Sequence, residues 1–274
     1  MLTRKESLRR LLWELTDGFD AQCHVVGGMI IRELHTRYGR DNIGYLWMLA
    51  EPMLLAGAVS LLHFGGDRGG SHYGSDLRVI PFSLTGYCVF IIFRSIVSRA
   101  ETTLESNKAL LFHKTVSIFD MLLARTLLEF LSTVTALALL LSGAVAVGLA
   151  DPPARPLLLL AGIVLLTWLS FAVSMSICAA THFSKAVAKL IHPAVYILMP
   201  LSGAFFALSW IPEPYRSWIA WLPIVQIFEM VHSGQFESIE QPIYDPLYII
   251  AWCLGLTVLG LLSLRVLRRH VHLS

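Results

Sequence analysis

The chain has 274 residues, 55% of them hydrophobic and only 15% charged, with a formal net charge of +2. That composition is too apolar and too poor in charge for an ordinary soluble domain, and helices joined by short loops leave no room for a separate one. The net charge itself says little, because the placement of the charges carries the information, and no nucleic-acid partner is expected.

Residues 1–44 are polar and amphipathic. Leu8, Leu11, Leu12, Leu15 and Phe19 recur at helical spacing, with Arg4, Lys5, Arg9 and Arg10 on other faces. This pattern predicts a basic helix lying in a membrane interface. Asp17-Gly18-Phe19-Asp20 reads as a break. A second amphipathic stripe follows at Val26, Ile30, Leu34 and Tyr38, backed by Arg32, Glu33, His35 and Arg37. Two uses remain open for these helices: anchors on the inner leaflet, or a collar around a substrate entrance or docking partner. No stretch before Tyr45 reads as a cleaved leader, so the first spanning run is expected to act as its own insertion signal.

Six long apolar runs follow, at 45–64, 79–93, 130–150, 157–183, 190–211 and 246–264. About 20 apolar residues rise about 30 Å as a helix, which matches the hydrocarbon thickness of a bilayer. Between the first two runs lies a Gly-rich loop at 65–71, and after the second a polar helix is expected over about residues 99–111. Asp120, Arg125 and Glu129 form a charged lead-in to the third run, and Asp151-Pro152-Pro153 ends it. The fifth run holds His192-Pro193 and Pro200, which should kink or interrupt it. Residues 208–245 contain two short apolar pieces flanking Pro223. Each is too short to span, which predicts a re-entrant hairpin on the external face with its Trp and Tyr side chains in the interfacial belt.

Six crossings put 1–44, 94–125, 184–189 and 265–274 on one side. Those segments hold 17 of the 21 Lys and Arg residues; Arg68, Arg78, Arg155 and Arg216 lie opposite. The excess of basic residues marks the cytoplasmic side. The expected fold is an all-α integral membrane protein of a bacterial inner membrane, with six transmembrane helices and both termini in the cytoplasm. Cys23, Cys88, Cys178 and Cys253 are scattered without ligand-like spacing, so neither a disulfide nor a metal site is expected.

Several residues are candidates for function. Glu51 lies inside the first run, where a charged carboxylate costs several kcal/mol unless paired, wet or protonated. It is either the partner of Arg94, Arg40 or Lys189, or the wall of a hydrated pore. Arg37, Arg40 and Arg94 sit where lipid phosphates lie, and contact with anionic lipid is the ordinary role of such residues. Tyr45, Trp47, Tyr87, Phe90, Phe93, Tyr196, Phe205 and Phe206 are aromatics inside runs, with packing the commoner role and a sliding surface for sugar rings the sharper one. The chain has no G-x-x-x-x-G-K-[ST] loop and no G-x-S-x-G elbow, and its external acids Asp67, Asp76, Asp151 and Glu213 are spread over separate loops.

Arg32-Glu33-Leu34-His35-Thr36-Arg37-Tyr38-Gly39-Arg40, then Gly44-Tyr45-Leu46-Trp47 and Glu51-Pro52, resembles the opening of type-2 ATP-binding-cassette exporter permeases. Leu201-Ser202-Gly203-Ala204-Phe205-Phe206, and Leu222-Pro223 followed by Glu229, resemble the fifth span and external re-entrant helices of that family. The resemblance covers nearly the whole chain and is nearest to the capsular-polysaccharide export permeases, then to the O-antigen permeases. Glu51 departs from the pattern, since the position is often neutral in that family. The resemblance implies a half-transporter that pairs with a second copy of itself and with separate nucleotide-binding ATPase subunits. ATP would be bound by the partner, and this chain would carry no cofactor and no catalytic residue. The substrate would be a lipid-linked anionic polysaccharide, received by Arg37, Arg40, Glu51, Arg94, Trp47 and Tyr45. A coupling helix at 99–117, with Glu101, Glu105, Lys108, His113 and Lys114, would dock on the ATPase. A periplasmic adaptor and membrane lipids complete the expected partners. The implied organisation is residues 1–44 as amphipathic helices, 45–267 as the permease domain with 208–245 re-entrant, and 268–274 as a cytoplasmic tail. The alternatives are a permease for O-antigen or another amphiphile such as a drug or lipid, an intramembrane transferase, and a scaffold without a pathway.

Overall fold

The computed structural model describes residues 4–38, 50, 53–54, 79–107, 110, 116–237 and 243–271. The described residues are helical or irregular, with no strand. The helices are α1 (Arg4–Tyr38), α2 (Val79–Ala100), α3 (Thr103–Ser106), α4 (Ile118–Ala146), α5 (Pro156–Phe183), α6 (Lys185–Leu201), α7 (Tyr215–Ile219), α8 (Pro223–Gln235) and α9 (Pro246–Val271). A single 3₁₀ turn, Leu208–Trp210, separates α6 from α7. Among the described residues four helices are long and apolar enough to cross a membrane: Pro81–Ala100, Ile118–Ala146, Pro156–Phe183 and Pro246–His270.

Local chemistry accounts for the helix ends. Proline stands at the first helical position of α5 and α8, where its missing N–H is not needed and its fixed φ suits the helix. Before α9, the Asp245 carboxylate accepts the N–H of Leu247 at 2.9 Å. Ser117 and Asp120 form a reciprocal capping box that starts α4. Past the end of α4, Gly148 takes a φ of +76°, a left-handed conformation in which a Cβ would be strained. The third apolar run therefore ends at Ala146 rather than at the prolines, and its charged lead-in belongs to the same helix.

α5 is the hub. It packs against α9, α8, α2, α4 and α6, and the largest hydrophobic cluster gathers around it, from Phe90 of α2 to Leu166 of α5, Phe228 of α8 and Cys253 of α9. Small residues set the spacing. A Cβ on Gly162 would lie 2.7 Å from the Val231 side chain, and one on Gly234 would collide with the Leu159 backbone. On the other flank, a Cβ on Gly260 of α9 would lie 2.9 Å from Met175.

Two sequence expectations need correction, and a third is met. The N-terminal segment is one helix of 35 residues and does not break at Asp17–Asp20. A glycine inside a helix costs about 1 kcal/mol relative to alanine, which the continuing α1 register absorbs. The fifth apolar run is interrupted where its prolines led one to expect it. α6 carries Pro193 and Pro200, ends at Leu201 after 17 residues, and gives way to Gly203 at φ +89°. The polar helix expected over residues 99–111 is not continuous either. α2 stops at Ala100, a turn at Glu101 and Thr102 follows, and α3 is one turn long. The first apolar run, 45–64, lies outside the described residues apart from Ala50, Met53 and Leu54.

Gly162→Leu should lower the thermal midpoint of the detergent-purified protein, since forcing side-chain volume into a closed contact costs about 1–3 kcal/mol. Gly255→Leu, where an added Cβ meets nothing within 4 Å, should leave it unchanged. Equal midpoints for both variants would show that the α5–α8 contact is not tight.

Candidate functional site

Two groups of polar residues stand out against the apolar bundle. The first lies where α1 crosses α4, beside the end of α2. Val26 and Met29 of α1 are buried against Met121 and Ala124 of α4. This contact brings Glu33 to Arg125, whose Nη2 and Nε donate to Glu33 Oε1 at 2.9 and 3.2 Å. Arg125 Nη1 donates to the Arg99 carbonyl and to Thr103 Oγ1, both at 2.9 Å. The two side chains of the pair are only 11% and 16% exposed, so losing one partner would strand the other in a poorly hydrated place. Beside them, Arg32 Nη2 donates to Asn107 Oδ1 at 2.7 Å, and Asn107 Nδ2 donates to the Thr103 carbonyl at 2.9 Å. Gln22 reaches Asp120 at 3.0 Å.

The loop at 101–107 is therefore fastened from both flanks. Thr103, Leu104 and Asn107 face inward, while Glu105 and Ser106 remain exposed. Glu105 is the exposed carboxylate of the fastened loop, and Glu101 is partly buried.

The second group runs along α6. Lys185, Lys189, His192 and Tyr196 are spaced i, i+4, i+7 and i+11, so they share one helix face, and all four are exposed. Arg94 of α2 joins the far end. Its Nη2 donates to Tyr196 Oη at 2.9 Å and its guanidinium lies 5.0 Å from the centre of the Tyr196 ring. Near the middle, His192 Nε2 is 3.6 Å from Glu101 Oε2, an ion-pair contact when the imidazole is protonated and too long for a hydrogen bond. The stripe is a row of cationic and aromatic groups on one exposed helix face.

Of the residues singled out in the sequence, Arg94 enters the stripe, Glu101 links it to the fastened loop, and Glu105 is the exposed carboxylate of that loop. Arg37 is in the last turn of α1, and its side chain is outside the described residues. Arg40, Tyr45, Trp47, Glu51, Lys108, His113 and Lys114 also lie outside them. Trp218 and Trp221 are 71% and 75% exposed, as expected of belt residues, whereas Trp210 is packed on Phe82 at 5.1 Å. Among the described residues no three His, Cys, Asp or Glu side chains converge as a metal site.

The profile of the family described as ABC-2 type transporter matches residues 25–236, from the middle of α1 to the end of α8. The chain belongs to the ABC-2 type transporter family. It is 31% identical over 242 residues to the capsule polysaccharide export inner-membrane protein CtrC of Neisseria meningitidis serogroup B, covering 88% of this chain and 89% of that protein. Against the capsule polysaccharide export inner-membrane protein BexB of Haemophilus influenzae it is 29% identical, covering 89% and 91%. Against the polysialic acid transport protein KpsM of Escherichia coli it is 30% identical, covering 78% and 81%.

Within this ABC-2 chain, the α6 stripe was open to sequence reasoning, since its spacing is regular. Its members also belong to other patterns that hide it, His192 to the Pro193 kink and Tyr196 to the aromatics of its apolar run. The Glu33–Arg125 pair joins residues 92 positions apart and leaves no local trace. Glu33→Lys and Arg125→Glu should each lower the thermal midpoint, by about 1–3 kcal/mol of stability. The doubly swapped protein should recover the part that belongs to the ion pair and not the bonds to the Arg99 carbonyl and Thr103, so it should be more stable than the sum of the singles. A double variant as unstable as the sum of the singles would mean that the pair does not couple α1 to α4.

Proposed function

We propose that this chain is the transmembrane permease subunit of an ATP-driven exporter that carries a lipid-linked capsular polysaccharide from the cytoplasm to the periplasm. The observation that carries this reading is the likeness to CtrC and BexB over about nine-tenths of each chain, both named as capsule polysaccharide export inner-membrane proteins. KpsM is named for a polymer that is itself an acid, and the cationic and aromatic stripe on α6 suits such a substrate. ATP is hydrolysed in a separate nucleotide-binding subunit, a division supported by the absence of a phosphate-binding loop from the sequence.

Two copies line the pathway, with the exposed faces of their α6 helices toward it. Residues 1–44 serve as an amphipathic collar, 45–267 as the permease domain and 268–274 as a cytoplasmic tail. The segment from 45 to 64 adds a span, and α6 with the turn beyond it supplies the sixth crossing. α7 and α8 form the external re-entrant hairpin. Gly203 packing on Val225 and Phe228, while Trp210 and His232 both stack on Phe82, supports a chain that turns outward and dips back. The fastened 101–107 loop is the ATPase docking element, with Glu101 and Glu105 described there and Lys108, His113 and Lys114 following in sequence. Arg37, Arg40, Tyr45, Trp47 and Glu51 form the entrance at the inner leaflet, and Arg94 receives the headgroup beyond it. A periplasmic adaptor accepts the polymer, and no bound cofactor is required of this subunit.

Deleting the gene should move capsular polymer from the cell surface to the cytoplasm, and restoring the chain should return it. At matched protein level, Arg40→Lys should lower surface polymer modestly, since lysine keeps the charge but loses the planar fork. Arg37→Ala with Arg40→Ala should nearly abolish export, with dimer and ATPase binding retained. Normal surface display in that double variant would remove both residues from the substrate path.

Reporter fusions after residues 70 and 153 should read periplasmic, and those after 110 and 274 cytoplasmic. A cytoplasmic reading at 153 would overturn the six-crossing arrangement.

A further inference from the structure

α8 has two unlike sides. Toward α5 it is held at van der Waals contact through Gly162 and Gly234, where no water and no separation fit. Toward α2 it presents polar groups. His232 is 0% exposed and its ring lies 4.1 Å from that of Phe82 of α2, yet neither Nδ1 nor Nε2 has a hydrogen-bond partner. One turn on, Gln235 donates Nε2 to the Asp151 carbonyl at 3.2 Å and leaves Oε1 unpaired. On α2, Thr85 follows Phe82 by three residues and so shares its face. It is fully buried with Oγ1 unpaired. With the two His232 nitrogens and Gln235 Oε1 this makes four of the buried polar atoms without a partner among the described residues, and Glu229 Oε1 is a fifth on α8. Glu229, a turn earlier on α8, is tied by Oε2 to the Leu208 N–H at 3.1 Å and holds the 3₁₀ turn in place.

Buried polar groups are nearly always paired, and each one left dry costs about 1–3 kcal/mol. Four on helices that meet at Phe82 and His232, between surfaces otherwise packed closely, point to a joint that is satisfied in another state. The chemistry of that state follows from the groups. A hydroxyl and an imidazole with one protonated nitrogen each donate and accept, an amide oxygen accepts, and none of the three is a cation that would select phosphate or carboxylate. Phe82, Trp210 and Phe236 wall the same place, with ring centres 5.1 and 5.7 Å from Phe82. Aromatic walls with a few convergent hydrogen-bonding groups are the composition of a small-ligand site. One turn inward, a Cβ on Gly86 would collide with the Ala204 carbonyl, so α2 is pinned there and the seam can part only on its outer side.

We propose that the α2–α8 seam is a hydroxyl-binding site, closed in this structure, that opens to the export path when α2 parts from α8. Thr85, His232 and Gln235 then hydrogen-bond the hydroxyls of the passing carbohydrate chain, a role that rests on the polysaccharide-export reading above. Water offers the same chemistry, so the test must separate water from sugar.

The test uses the whole exporter in cells. Thr85→Cys and His232→Cys permeases are exposed to a membrane-impermeant thiol reagent from outside, against the background of the four native cysteines. With an inactivated ATPase subunit both positions should stay unlabelled. With an active ATPase but polymer synthesis blocked they should label, and with polymer flowing the labelling should fall severalfold. Labelling that polymer does not change would leave water as the ligand and overturn the sugar site. Absence of labelling in every arm, with export continuing, would make the seam static.

A second variant covers misfolding. His232→Leu removes both unpaired nitrogens, so its thermal midpoint should rise, while surface polymer should fall about tenfold, the scale of a hydrogen bond or two. His232→Gln, which keeps a donor and an acceptor, should recover much of the export. Wild-type export by the leucine variant would overturn the proposal. Wild-type protein that fails to restore surface polymer to a deletion strain would instead overturn the polysaccharide reading.

Discussion

The architecture depends on how closely helices can approach α5. In a bilayer, apolar side chains gain nothing from leaving lipid for protein, so association rests on packing and on shared polar contacts. Gly162 and Gly234 let the α8 backbone lie directly on α5, and Gly260 does the same for α9. Those contacts hold α8, with its buried Glu229, His232 and Gln235, inside the bundle. Without them the polar residues of α8 would have no protein interior to occupy, and a 13-residue helix too short to span would have nothing to brace it.

At the opposite end the logic is electrostatic. Arg125 distributes its guanidinium over a carboxylate, a carbonyl and a hydroxyl, and so ties together α1, α2, α3 and α4. A lysine in its place could not hold those directions at once. The loop fastened there reaches α6 through Glu101 and His192, and α6 reaches α2 through Tyr196 and Arg94. A push on the loop is thereby connected through named contacts to the face that carries the cationic stripe. Pro193 lies within this stretch and leaves the Lys189 carbonyl without its helical donor, a place where α6 can bend.

Much of this was legible beforehand. The runs at 79–93, 157–183 and 246–264 became α2, α5 and α9, because a long uncharged segment has few ways to satisfy its backbone other than as a helix. The short pieces around Pro223 form helices of 5 and 13 residues, too short to span, as their lengths in the sequence indicate. The break at Gly18 was misread, since a glycine signals a turn only where no neighbouring helix supports the register, and α4 supports α1 beyond it. The polar helix over 99–111 was misread for the converse reason. Arg125 and Arg32 draw Thr103 and Asn107 into side-chain bonds that compete with a continuous helical ladder.

Periodicity, apolar length and the placement of Lys and Arg determined by themselves that this is a helical membrane protein, and the motif around Arg32–Trp47 determined its family. These are properties of single segments, written every few residues along the chain. Which helix is the hub, that Glu33 meets Arg125, and that His232 lies unpaired against Phe82 were decided only by the tertiary structure. Each is a relation between segments far apart in sequence, set by how closely two backbones approach. That distance is governed by the side chains of both partners together, so neither segment encodes it alone.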